Sequence, residues 1–163
     1  MNTHQEETIL NIINETIYCF NIKESYLIKN NLSERCICAK FAHYLEVELS
    51  KTKYKDYNVD VEYNRTVNSE GNIKTLEDKN IIVDLIIHKR GTNDNLVCIE
   101  MKKSCDGRNI PSDEERLKKL TKSQYGFSYK IGVMLLIERK EKRGVFKLLV
   151  KTVFKDGIEI KKG

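Results

Sequence analysis

The sequence predicts an α/β fold with its elements in the order α-α-β-β-β-α-β-β. Three observations carry that expectation. Apolar residues recur at helical spacing through the first fifty positions. From residue 58 onward the pattern changes to period-two alternation and short apolar runs. One charged, amphipathic stretch then separates the third strand from the fourth.

Ile9, Ile12, Ile13, Ile17 and Phe20 fall at three- and four-residue intervals and predict a first helix over about residues 5–20. A second helix is expected from Ser33 to Ser50, burying Ile37, Cys38, Phe41, Ala42, Leu45 and Leu49, with Asn31 or Ser33 as its cap. Val59, Val61 and Tyr63 alternate with Asp60, Glu62 and Asn64, as in a half-buried strand. A polar excursion from Asn68 to about Lys79 follows. Ile81 to His88 and Leu96 to Lys102 read as two strands of a β-hairpin, since Arg90-Gly-Thr-Asn-Asp-Asn95 supplies turn-forming residues between them. Pro111 to about Ser123 reads as the third helix, with Asp113, Glu114 and Glu115 in its first turn and Lys118, Lys119 and Lys122 near its end, all favourable to the helix dipole. Tyr129 to Ile137 and Val145 to Phe154 are the last two strands, joined by the charged turn Glu138 to Gly144.

A chain of 163 residues suits one hydrophobic core, so a single domain over 1–163 is expected. Apolar runs such as Ile131 to Ile137 are far shorter than the roughly 20 residues that cross a bilayer. No basic, apolar leader opens the sequence, and the expected location is cytoplasmic. Five cysteines without a Cys-x-x-Cys pair fit reduced thiols better than disulfides or structural zinc. The net charge of +5 is uneven: residues 130–163 hold 10 Lys and Arg against 4 Asp and Glu. That asymmetry is compatible with a polyanionic partner, although a solvated lysine face is its commoner explanation.

The chemistry centres on two strands. Asp84 is set among apolar neighbours in Val83-Asp84-Leu85-Ile86, and Glu100 and Lys102 share one face of Val97-Cys98-Ile99-Glu100-Met101-Lys102. A carboxylate on each arm of one hairpin leaves two like charges close together, a repulsion that a divalent cation resolves. Mg2+ (or Mn2+) suits such oxygen ligands. It polarises a scissile phosphate and lowers the pKa of a bound water, while a lysine beside it orients the nucleophile or stabilises transition-state charge. Glu34 precedes Cys38 by four residues and Phe41 by seven, so it lies on the apolar stripe of the second helix; a capping role in its first turn is the simpler alternative.

With Glu34 in a helix, Val83-Asp84 in a strand and Glu100-Met101-Lys102 in the next, the sequence resembles the PD-(D/E)xK superfamily of restriction-endonuclease-like nucleases over about Ser33 to Ile137. Val83 stands where the family name has proline. Gln124 and Tyr125 are adjacent, so the Gln-x-x-x-Tyr element of some exonuclease members is missing. The resemblance implies a three-layer core, with a mixed central sheet flanked by helices, and Mg2+-dependent cleavage of nucleic acid, DNA being the expected substrate. By the same resemblance Asp84, Glu100 and Glu34 are the metal-binding residues and Lys102 assists the attacking water.

Arg65, Arg90 and Lys103 are candidate nucleic-acid contacts, together with His88 and Lys89 at the hairpin end. Glu62 is a candidate neighbour of the metal. Asp113 is read as a helix-capping residue, in preference to one that with Arg116-Leu117 orders the third helix near the site. A homodimer, or a place in a larger defence or repair assembly, is the expected partnership. The competing expectation is a nuclease-like module that binds nucleic acid or a protein without turnover.

Overall fold

The computed structural model describes residues 3–65, 74–77 and 79–162. Most of the polar excursion expected from Asn68 to Lys79 falls outside the described residues. Among the described residues six strands form one mixed sheet, and three α-helices pack against it.

Helix α1 spans Thr3–Lys29 and α2 spans Glu34–Ser50. The first runs well past the expected residue 20, because nothing in 21–29 breaks a helix and Ile28 continues the buried stripe. It stops where Asn31 turns left-handed (φ 55°), with Asn31 N donating to Ile28 O at 3.0 Å and Leu32 N to Leu27 O at 3.0 Å, the paired bonds of a Schellman end. Ser33 caps α2, its hydroxyl accepting from Cys36 N at 3.2 Å.

Strand β1 (Asn58–Val61) lies antiparallel to β4 (Leu85–His88), which pairs antiparallel with β5 (Asn95–Lys103). The expected hairpin is present, but β4 starts only at Leu85, so Asp84 stands just before the strand. A two-residue ladder, β2 (Thr75–Leu76) with β3 (Lys79–Asn80), was not foreseen. After α3 (Ile110–Thr121) the chain enters β6 (Ile131–Lys140), parallel to β5, and returns antiparallel through β7 (Val145–Lys155) and β8 (Ile158–Lys162). The last strand was also unforeseen. Asp156 and Gly157, at φ 51° and 76°, build the tight turn that starts it.

Both faces of the sheet are covered, which accounts for the near-continuous apolar runs of its central strands. Leu85, Ile87, Val97, Ile99, Met101, Val133 and Leu135 pack under α1 and α2. On the opposite face Ile86, Cys98 and Met134 meet Leu117 and Leu120 of α3. A Cβ on Gly132 of β6 would lie 3.1 Å from Thr121 Cγ2 and 3.3 Å from Leu117 Cβ, so the missing side chain lets α3 settle close on the sheet. None of the helices among the described residues is long and apolar enough to cross a membrane.

Beyond the reach of β8, the free edge of β7 is closed from α1. Asn21 donates to Leu148 O at 2.8 Å and accepts from Leu148 N at 2.7 Å, as a neighbouring strand would. Asn21→Leu is expected to lower the unfolding free energy by about 1–3 kcal/mol, because it orphans two part-buried backbone groups. Urea titration monitored by circular dichroism checks this.

Candidate active site

The β4–β5 register pairs Leu85 with Ile99 and Ile86 with Cys98, and one further step along that ladder sets Asp84 beside Glu100. The fifteen-residue interval between the two acids is thus the length of the hairpin. Past Asp84, β5 continues with no β4 residue beside it. Two carboxylates take the amides of this free edge. Met101 N donates to Asp84 Oδ2 at 2.8 Å, and Lys103 N donates to Glu34 Oε1 at 2.8 Å. The main chain at Asp84 is fixed as well: its carbonyl accepts from Glu62 N at 3.1 Å and from Cys38 Sγ at 3.4 Å.

Glu100 and Lys102 project on the α3 side, and α3 meets them with Asp113 and Arg116. Glu100 is 1% exposed, with its Oε1 2.9 Å from Arg116 Nε. Arg116 also pairs with Asp113. Lys102 Nζ lies 3.5 Å from Glu34 Oε2 and 3.7 Å from Asp113 Oδ2, so one ammonium ties α2 to α3 across the end of β5. Despite these short distances Glu100 Oε1, Asp113 Oδ2 and Arg116 Nε are buried without a properly directed hydrogen bond among the described residues. The pocket holds its charges close without satisfying their geometry.

Its electrostatics follow from burial and from like charges. Burial first, and then the neighbouring Asp84 carboxylate, hold Glu100 well above the ordinary range, against the pull of Arg116. Burial also raises Asp84, opposed by the Met101 amide and by a hydrogen bond from Glu100. Burial draws Lys102 down, but Glu34, Asp113, Asp84 and Glu100 together hold its ammonium above the usual value. Cys38 is pushed up to about 12 by burial and the surrounding acids, and is an inert neutral thiol. On the α2 side a cavity of about 210 Å³, lined by Glu34, Arg35, Cys38, Val61, Glu62 and Asp84, opens next to the aspartate.

Four of the residues singled out from sequence, Glu34, Asp84, Glu100 and Lys102, thus come together. Glu62 borders the adjacent cavity, held by Arg35 Nε at 2.8 Å, with its own backbone left-handed at φ 53°. The candidate nucleic-acid residues do not join the pocket. Arg90 is paired to Asp60, Lys103 Nζ donates to Asn31 Oδ1 at 3.0 Å, and Arg65 lines a different cavity near the far end of β4.

The capping role expected of Asp113 is not what its surroundings show. Asn109 stands at the cap of α3, whereas Asp113 is 4% exposed and faces Lys102 and Arg116. The signal was in the spacing: Ile110, Asp113, Leu117 and Leu120 form one buried stripe, and Arg116 follows Asp113 by three.

Among the described residues, no group of three or more His, Cys, Asp or Glu side chains is drawn together as a ready-made cage for a metal ion. No protein-family model matches the chain, and no curated protein matches it.

Proposed function

We propose that this protein is a divalent-metal-dependent nuclease of the restriction-endonuclease-like kind, cleaving phosphodiester bonds in DNA at the pocket of Asp84, Glu100 and Lys102. The observation that supports this most is the charge of the pocket. Among the described residues four carboxyl groups, Glu34, Asp84, Glu100 and Asp113, face two cations, Lys102 and Arg116, and with Asp84 beside it the buried Glu100 resists ionising. A divalent cation would let the two neighbouring acids ionise side by side.

The donor set fits Mg2+ or Mn2+, hard cations that prefer carboxylate oxygens and retain waters in their remaining positions, so two protein ligands suffice without a closed cage. Asp84 and Glu100 would hold the ion, with Glu34 nearby through Lys102. Bound there, the metal would polarise a scissile phosphate and lower the pKa of a coordinated water.

The chain's own groups do the rest. Lys102, kept charged by four acids, can orient the attacking water and stabilise negative charge that develops on the phosphate. Arg116 and Asp113 position Glu100 and Lys102 from α3. The Met101 amide keeps Asp84 turned toward Glu100.

One observation favours the alternative, a nuclease-like module that binds without turnover. Arg116 already lies against Glu100 Oε1, as a permanent counter-ion would. Incubation of the purified protein with labelled DNA and RNA in Mg2+ or Mn2+ separates the two readings. Metal-dependent cleavage supports the nuclease. Absence of cleavage and of Mn2+ binding by calorimetry supports the module.

A further inference from the structure

At the end of the β4–β5 hairpin away from the carboxylate pocket lies a second cavity of about 210 Å³. Tyr63, Arg65, Lys74, His88, Asn95 and Phe127 are among its lining residues. Lys74 is 5% exposed, which is unusual for lysine, and its main chain is pinned by Lys74 N donating to Asn64 O at 2.7 Å and Ile81 N donating to Lys74 O at 3.0 Å. The ammonium donates to Tyr129 Oη at 2.9 Å and lies 5.2 Å and 5.5 Å from the ring centres of Tyr63 and Tyr129. Two of its three donors are left for another partner among the described residues.

Buried charges are normally paired, yet no carboxylate among the described residues pairs with Lys74. Asp60, an acid whose charge reaches Lys74, is already engaged by Arg90 Nε at 2.8 Å and His88 Nε2 at 2.8 Å. Among the described residues the cavity thus offers a buried cation without an anion, Arg65 at its exposed rim, and two aromatic rings. Gly91 and Gly126 turn the chain at its mouth, with left-handed backbones at φ 73° and 79°.

We infer that the Lys74 cavity is a second binding site, distinct from the carboxylate pocket, which takes a phosphoryl group carried on an aromatic ring, as in a nucleotide. The phosphate oxygens supply the missing counter-charge to Lys74, with Arg65 beside them, while the base packs against Tyr63 or Phe127. The same chemistry is offered by a free nucleotide and by the end of a nucleic-acid strand. The inference does not depend on nuclease activity.

Burial lowers Lys74 to about 8. Burial holds Tyr129 and Cys98 above their ordinary values, His88 is lowered, Asp60 is kept ionised by Arg90, and Arg90 stays charged. An anion seated on Lys74 favours its charged form, so binding at pH 8 must draw a proton from the buffer.

Calorimetric titration of the whole protein at pH 8 with adenosine 5′-monophosphate, inorganic phosphate and adenosine, in two buffers of different ionisation enthalpy, tests this. The expected result is that the monophosphate binds with proton uptake and adenosine binds at least about tenfold more weakly. Lys74→Met should lose at least about tenfold in monophosphate affinity together with the proton uptake. Lys74→Arg should keep binding but take up no proton, which covers a Met variant that fails to fold. Lys102→Ala should bind the monophosphate as the parent does, so failure of the nuclease reading leaves this result intact. No binding of phosphate or monophosphate, equal binding of adenosine, or a folded Lys74→Met with unchanged affinity would overturn the site. Competition by a short 5′-phosphorylated single strand assigns it to strand ends, and lack of competition assigns it to the free nucleotide.

Discussion

Alanine at Glu100 is expected to remove Mg2+-dependent cleavage altogether, and alanine at Lys102 to lower kcat by on the order of 10²–10³-fold. The two losses should differ in kind. Glu100 is one of two acids that would face the cation, so Glu100→Ala should also lose Mn2+ binding by calorimetry. Lys102 touches Glu34 and Asp113, and its ammonium is the group that would meet the nucleophile or the phosphate. Lys102→Ala should therefore still bind Mn2+, no less tightly than the parent once a positive neighbour is gone, and fail only in turnover. Cleavage of a labelled duplex followed in parallel with metal titration gives both readouts. Undiminished cleavage by both folded variants would remove the pocket from consideration.

Glu100→Gln is expected to make the metal-free protein more stable and the metal-loaded protein relatively less so. In the parent, Glu100 is buried beside Asp84 and held well above its usual range, so the folded state binds a proton more tightly than the unfolded chain. Stability from this group is full below the unfolded value of 4.5 and is lost as pH rises through the folded value. Glutamine keeps the shape and never ionises. Metal-free Glu100→Gln should thus melt higher near neutral pH, with a flatter pH dependence above 4.5. Adding Mn2+ at about 100 times its Kd should stabilise the parent by ~2.7 kcal/mol, or about 5–10 °C in a domain of this size, and leave the glutamine variant unmoved. Differential scanning fluorimetry with and without the metal measures both. A variant that melts lower than the parent without metal, or that gains equally with it, would contradict this account.

Much of this pocket could be read along the chain because its geometry is local. Two acids on the arms of one hairpin are placed opposite one another by register alone, and Glu100 and Lys102 share a face by strand parity. Glu34 was visible as a carboxylate on an apolar helical stripe. What escaped notice depends on distant segments. Asp113 reads as a helix-start acid until α3 is laid across β5, and only then does its place on the Ile110–Leu117–Leu120 stripe aim it at Lys102. Arg90 looked like a surface cation at a turn, but antiparallel pairing of β1 with β4 brings Asp60 alongside it. Lys74 carried no signal at all, since a lysine within the polar excursion reads as a solvated cation and its contacts with Tyr63 and Tyr129 come from distant parts of the chain. The extra turns of α1 and the strand after Gly157 were within reach. The Asp-Gly pair followed by alternating Ile158 and Ile160 is a hairpin signature in its own right.

The elbow between α1 and α2 works like a gear tooth. Asn31 ends one helix and receives the amine of Lys103, while Glu34 begins the next and receives the same residue's amide. The helical layer is therefore meshed with the tip of β5 at Lys103 and at Lys102 beside it. A slide of the two helices along the sheet would withdraw the Glu34 carboxylate from both, and with it one of the acids that hold the Lys102 ammonium.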